Sequence, residues 1–111
     1  MTQSTDRDGP REYRRLEDVL GCKWSVSVLQ AIAAGVQRPG ALERHIAGIS
    51  TKILSERLRK LEAYGLISRS VQATKPPRTD YALTTSGSKV VELIVRVRAL
   101  DDEIHRAESA R

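Results

Sequence analysis

Apolar positions recur at helical spacing in four stretches before the chain switches to alternation. Tyr13, Leu16, Val19 and Leu20 share one side of a first helix, predicted over Arg11 to Leu20 and ended near Gly21. Lys23 to Ala34 (KWSVSVLQAIAA) is apolar around much of its circumference, as a helix packed from several sides must be, and Gly35 supplies its stop. Arg38 to Ile46 (RPGALERHI) reads as a short third helix, with Pro39 suited to its first position and Leu42 and Ile46 on one face. After a turn at Ala47-Gly48 comes ISTKILSERLRKLEAYGL. Ser50 is a good N-cap, Ile49 can staple onto Leu54, and Gly65 is placed to end the helix in a left-handed conformation. Ile53, Leu54, Leu58 and Leu61 form its apolar stripe.

Leu66 to Val71 and Asp80 to Thr84 alternate as half-buried strands do. Between them QATKPPRT carries two prolines that cannot donate to a ladder, so it is predicted to be a protruding hairpin loop. From Thr85 a last helix carries Val90, Leu93, Ile94, Val97, Leu100 and Ile104, an apolar band longer than one small domain needs to cover its core. The order α-α-α-α-β-β-α, mainly helical with one small β-hairpin, is that of a winged helix-turn-helix. Such an architecture serves DNA binding, RNA binding or protein interaction, so the site has to decide the function.

Composition narrows the choice. A chain of 111 residues with 40% hydrophobic content supports one domain with a real core, expected over residues 11–111 after a loose polar tail at 1–10. No run approaches the roughly 20 apolar residues of a membrane span, and the polar start lacks the apolar stretch of a secretory signal, so a soluble, cytoplasmic protein is expected. The single cysteine, Cys22, cannot form an internal disulfide, and His45 and His105 belong to no metal-ligand pattern. Neither a metal nor a cofactor is implied. Catalysis by the thiol would need a paired His or Asp in a recognisable motif, which is missing, so no enzyme is expected.

The formal net charge is +5, and its placement says more than its size. Residues 50–84 hold seven Lys/Arg against three Asp/Glu, whereas residues 1–49 hold seven against six and residues 85–111 five against five. The excess therefore sits on the fourth helix and the hairpin, where a polyanion-binding surface of this architecture needs it. Thr51, Lys52, Ser55, Glu56 and Arg59 lie toward one polar side of that helix. Early positions of a second helix-turn-helix helix approach base edges and phosphates. Lys52 or Arg59 has donors matching the guanine acceptors, and Thr51 and Ser55 suit phosphate or base. The alternative is a solvated face with a Glu56–Lys60 pair. Arg57 falls nearer the apolar stripe and is expected in a structural ion pair. Lys75 and Arg78 in the loop are expected to meet phosphate or the minor groove. Cys22, near a helix start, is either a reactive thiol or a small residue packed beside Trp24. Trp24 reads as core, or as one wall of a ligand pocket between the terminal helices.

Three segments together resemble the HxlR-type family of winged-helix transcription regulators, relatives of the MarR group: GCKWSVSVL at Gly21 to Leu29, QRPGALERHIAGISTKILSERLRKLEAYGLISR at Gln37 to Arg69, and PPRTDYALTTSG at Pro76 to Gly87. The resemblance covers roughly Leu16 to Leu100. It implies a homodimeric regulator that binds double-stranded DNA; the function expected here is sequence-specific binding to inverted half-sites, with repression by blocking polymerase access and a small-molecule effector as an optional partner. It implies major-groove reading by the fourth helix, backbone contacts from the wing, and dimerisation through the terminal helices, here Tyr13, Leu16, Leu20, Ile94, Val97, Leu100 and Ile104. Arg38 and Arg69 stand where the family usually has arginine, which implies phosphate contact, with a structural pair as the alternative. The chain departs from the family at Cys22, where a second glycine is usual, at Pro39, where an aromatic residue is usual, and at Leu100, often tryptophan. Arg11 stands where redox-sensing members carry their cysteine, so sensing at that thiol is not available.

Overall fold

The computed structural model describes residues 12–110; the expected tail at 1–10 and the first predicted helical residue, Arg11, lie outside that range. Five helices and one hairpin follow the predicted order: α1 (Arg14–Leu20), α2 (Lys23–Ala33), α3 (Pro39–His45), α4 (Thr51–Ala63), β1 (Ile67–Gln72), β2 (Arg78–Leu83) and α5 (Thr85–Ser109). This is a winged helix.

The helix α2 is the hub. It packs against α1, α3, α4, α5 and β2, and buries Ser25, Val28, Leu29, Ala31 and Ile32 on several sides, as its nearly continuous apolar sequence requires. Around it close Val19 from α1, Leu42 from α3, Leu54, Leu58 and Leu61 from α4, Ile67 and Tyr81 from the hairpin, and Val90 and Ile94 from α5.

Helix α4 begins and ends as its sequence dictates. Ser50 Oγ accepts the Ile53 backbone N–H at 3.1 Å, and Ile49 and Leu54 are both buried on either side of that cap. At the other end Gly65 takes a φ of +76°, a conformation in which a Cβ would be strained. Its N–H bonds to Glu62 O at 2.9 Å and the following Leu66 N–H reaches Leu61 O at 3.0 Å, the paired closure of a Schellman motif. Leu61 and Leu66 are both buried beside it. The turn between α3 and α4 likewise depends on a left-handed glycine, Gly48, with φ +84°.

The hairpin is antiparallel, with register running from Ile67 opposite Leu83 to Gln72 opposite Arg78. Its second strand starts two residues earlier than the alternation suggested. Pro76 and Pro77 have no N–H to give, but Arg78 and Thr79 do, and both join the ladder opposite Gln72 and Val71. Arg78 therefore belongs to a strand and not to the loop. A further backbone bond, Tyr81 N–H to Gln37 O at 2.8 Å, ties the segment entering α3 to the side of β2.

Thr84 joins the hairpin to α5. Its N–H donates to Leu66 O at 3.1 Å, its hydroxyl donates to Gly65 O at 2.6 Å, and its oxygen caps α5 by accepting the Gly87 N–H at 3.0 Å. Gly87 lies so close to the Leu66 carbonyl that a Cβ there would sit 1.9 Å from its oxygen. The ends of α4 and the start of α5 are thus held at one point. Beyond Ile94 every described residue of α5 is exposed, so its last four turns leave the domain.

Candidate nucleic-acid interface

Helix α4 divides its circumference into three parts. Leu54, Leu58 and Leu61 are buried. Arg57, Lys60 and Tyr64, spaced i, i+3 and i+7, turn to the flank nearest α1. Thr51, Lys52, Ser55, Glu56 and Arg59 are exposed on the remaining face. Ile53, expected in the buried stripe, is half-buried at the border of the core.

The flank accounts for three polar residues. Asp18 of α1 accepts from the Tyr64 hydroxyl at 2.6 Å and pairs with Lys60 Nζ at 2.9 Å, so the bland Glu56–Lys60 pair is replaced by a link between helices. The hydrogen bond from Tyr64, and then that from Lys60, hold the Asp18 carboxyl below its ordinary value; the same contacts raise Tyr64 and Lys60 above theirs. Arg57 meets a thiol where a carboxylate was expected, with Nη1 donating to Cys22 Sγ at 3.7 Å. Burial pushes the Cys22 thiol up, but hydrogen bonds with Ser25 and the Trp24 backbone, with the Arg57 charge, leave it below its ordinary value.

On the outward face, Thr51 is less free than its position suggested. Its hydroxyl donates to Glu43 Oε2 at 2.7 Å, joining the two helices of the helix-turn-helix, so that only its acceptor lone pairs remain for a ligand. Among the described residues Lys52, Ser55, Glu56 and Arg59 have no side-chain hydrogen bond or ion pair. They extend from the N-terminal three turns of α4 into solvent.

The wing separates residues that the sequence had grouped. Gln72, Arg78 and Asp80 share one face of the hairpin, while Arg69 and Val71 share the other with Thr79 and Tyr81, because side chains alternate and opposed residues point the same way. Arg69 is exposed there and enters no ion pair among the described residues, which leaves its charge available and its structural alternative without support. Arg38 and Arg78, 40 residues apart in the chain, meet at one carboxylate: Asp80 lies 3.8 Å from Arg38 Nε and 3.5 Å from Arg78 Nε. Gln72 Nε2 donates to the same carboxylate at 2.8 Å. Lys75 sits in the turn, exposed, just after Thr74, whose hydroxyl donates to Pro76 O at 2.7 Å. Asp80, Glu43 and Asp18 all escaped the sequence reading. Only Asp80 left a trace there, since it stands two residues from Arg78 and a strand puts such a pair on one face.

These features are those of a helix-turn-helix with a basic wing, and comparison with known proteins gives it a lineage. The profile of the HxlR-like helix-turn-helix family matches residues 19–109. The chain belongs to the HxlR-like helix-turn-helix family. Among its relatives, the uncharacterized HTH-type transcriptional regulator sll1512 of Synechocystis is 38% identical over 92 residues, covering 83% of this chain and 68% of its own. The reduced form of the transcriptional regulator YodB from B. subtilis superposes with a TM-score of 0.76 at 26% identity, covering 85% of this chain and 92% of that one. A MarR-family protein from Enterococcus faecalis V583 gives a TM-score of 0.80 across 99% of this chain and 98% of that one; at 24% identity it speaks to the fold alone. The HxlR-like chain is therefore a transcriptional regulator with a helix-turn-helix domain, and its family is one of regulators, not enzymes.

The residues expected at a dimer contact divide. Ile94 is only 3% exposed and belongs to the protomer's own core, because α5 still lies on the domain at that turn; it is not available to a partner. Leu16 and Leu20 are half-buried against the same core. Tyr13, Val97, Leu100 and Ile104 are exposed, and Leu93 joins the last three in a stripe at i, i+4, i+7 and i+11. Trp24 borders a groove away from the terminal helices. It is half-buried, with Lys23 Nζ 4.6 Å from its ring, and borders an open groove of about 410 Å³ that runs from α2 to His45, Ile46 and Ala47. Among the described residues a second groove, of about 420 Å³, lies at the terminal helices, lined by α1 residues Arg14, Arg15 and Leu16 with Tyr64, Leu66, Lys89 and Val90. Among the described residues no group of three or more His, Cys, Asp or Glu stands together as a metal site, and no helix is long and apolar enough to cross a membrane.

Proposed function

We propose that this chain is a cytoplasmic, sequence-specific repressor that binds an inverted-repeat operator as a homodimer. The observation that carries the reading is the outward face of α4. Lys52, Ser55, Glu56 and Arg59 project from its first three turns with no partner among the described residues, while Leu54, Leu58 and Leu61 are committed to the core and Lys60 and Tyr64 to α1. A helix entering the major groove contacts base edges through such positions. Arg59 and Lys52 present donors to guanine, and Ser55 and Glu56 complete a mixed donor and acceptor pattern. Lys75, Arg78, Arg38 and Arg69 supply the phosphate contacts, which carry affinity and little sequence information.

The homodimer rests on the exposed stripe Leu93, Val97, Leu100 and Ile104 with Tyr13. It lies on a helix whose last 15 described helical positions, Val95 to Ser109, have no protomer to cover them. A twofold pair of such helices sets two copies of α4 about one DNA turn apart, roughly 34 Å. Repression follows if the dimer occupies a promoter-proximal site and so blocks access of polymerase.

The test is selection of bound duplexes from a random pool, followed by gel shifts at two salt concentrations. Symmetric half-sites are expected. Arg59→Ala should change base preference at one position per half-site, whereas Lys75→Ala should weaken every duplex and lower the salt slope by about one. Equal losses on all sequences for both variants would refute the division of labour. A wild-type protein that shifts no duplex at either salt would favour a winged helix devoted to protein contacts.

A further inference from the structure

We propose that Asp80 is a positioning residue that joins Arg38 and Arg78 into a single clamp for one DNA phosphodiester. The proposal rests on the DNA-binding reading above. Its own ground is the geometry around the Asp80 carboxylate, which ion-pairs with Arg38 Nε through one oxygen at 3.8 Å and with Arg78 Nε through the other at 3.5 Å, and which accepts a hydrogen bond from Gln72 Nε2 at 2.8 Å.

Exposure divides along the same line. The Asp80 side chain is 18% exposed, whereas Arg38 and Arg78 are 54% and 43% exposed. The carboxylate is covered and the guanidiniums are not. Both arginines approach it through Nε, so the terminal amino groups of each fork remain for a second anion. Two guanidinium charges and one carboxylate leave a net charge of +1 at the cluster, which matches one phosphodiester.

The backbone keeps the partners adjacent. Arg38 is the N-cap of α3 and Arg78 opens β2, and the bond from Tyr81 N–H to Gln37 O holds these segments side by side. Gln72, opposite Arg78 in the register, anchors the carboxylate from the neighbouring strand. The first helix of the helix-turn-helix and the wing are thereby made to meet the backbone as one unit. Long arginine side chains otherwise give up much rotamer freedom when they bind, and holding them beforehand removes part of that loss.

This makes an electrostatically unexpected prediction. Asp80→Asn removes a negative charge from a DNA-facing cluster, so charge alone predicts tighter binding and a steeper salt dependence. Positioning predicts the reverse: a Kd about tenfold weaker at fixed salt on the selected operator, from two arginines that must be immobilised afresh. Arg38→Ala should then cost less in the Asp80→Asn background than in the wild type, because an unheld Arg38 contributes less.

Binding of Asp80→Asn as tight as the wild type, or tighter, overturns the proposal. If urea melts show that Asp80→Asn also loosens the fold, the cycle with Arg38→Ala decides, and an equal cost of that substitution in both backgrounds overturns it. Absence of wild-type binding to any duplex is a separate result: it overturns the DNA-binding reading, and the clamp with it.

Discussion

Replacing Gly87 by alanine separates local propensity from tertiary contact, because the two predict opposite signs. Gly87 is the third residue of α5, and alanine in a helix is favoured over glycine by about 1 kcal/mol. Yet a Cβ at this position would stand 1.9 Å from Leu66 O and 2.9 Å from Leu66 C, both backbone atoms that cannot rotate away. The helix would have to retreat by roughly 1 Å or more, an overpacking strain of about 1–3 kcal/mol. That retreat also stretches the Thr84 N–H to Leu66 O bond, now 3.1 Å, for about 1 kcal/mol more. Less the propensity gain, Gly87→Ala should destabilise by about 1–3 kcal/mol. Urea denaturation followed by circular dichroism at one protein concentration measures this as a lower midpoint at unchanged slope. Gly40 in α3 is the control: a Cβ there meets only Arg44 Nη1 at 3.5 Å, so Gly40→Ala should be neutral or stabilising by up to about 1 kcal/mol. A Gly87→Ala protein as stable as the wild type would refute the claim that α5 is pinned against the Leu66 carbonyl.

Two other outcomes follow from exposure and charge. Leu100, 56% exposed, contributes little to the protomer, so Leu100→Asp should leave its far-ultraviolet spectrum intact; sedimentation velocity should show the proposed dimer weakened roughly a hundredfold, since twofold symmetry would put two carboxylates into the contact. Persistence of the dimer at unchanged affinity would place the contact elsewhere. The Asp18 carboxyl, held low in the folded chain by Tyr64 and then Lys60, contributes stability that is fully present above the unfolded value near pH ~4 and is lost as pH falls through the lower folded value. Asp18→Asn should therefore lose stability at neutral pH and show a shallower decline below about pH 4 than the wild type. Parallel acid limbs for the two proteins would show that this carboxylate is not coupled to folding.

The parts of the molecule set by neighbouring residues were legible in the sequence. Ser50, Ile49 and Gly65 announced both ends of α4 because caps and left-handed glycines act within a few residues of the chain, and alternation located the hairpin. Errors arose where one periodic pattern serves two purposes. Val90, Leu93, Ile94, Val97 and Leu100 form one continuous band in sequence, yet the domain ends beneath Ile94, so the inner part covers the core and the outer part does not. Periodicity carries no mark of that border. The same limit hid the polar partners. Lys60 had a carboxylate four residues away in Glu56 but took Asp18 from another helix, and Arg38 and Arg78 met at Asp80 through a register and a backbone bond that no local rule contains. Gly87 stood in plain view within a recognised motif, while the carbonyl that requires it lies 21 residues earlier.

The junction of Gly65, Leu66, Thr84 and Gly87 also acts as a fulcrum. From Val95 onward α5 is an unsupported rod of 15 residues, roughly 22 Å long at the usual rise. A tilt of about 10° at its base carries the far end about 4 Å sideways by the same geometry. In a twofold pair joined by those rods, such a tilt alters the distance between the two copies of α4. A small tilt of α5 about that junction is therefore amplified at its far tip without any change inside α4 itself.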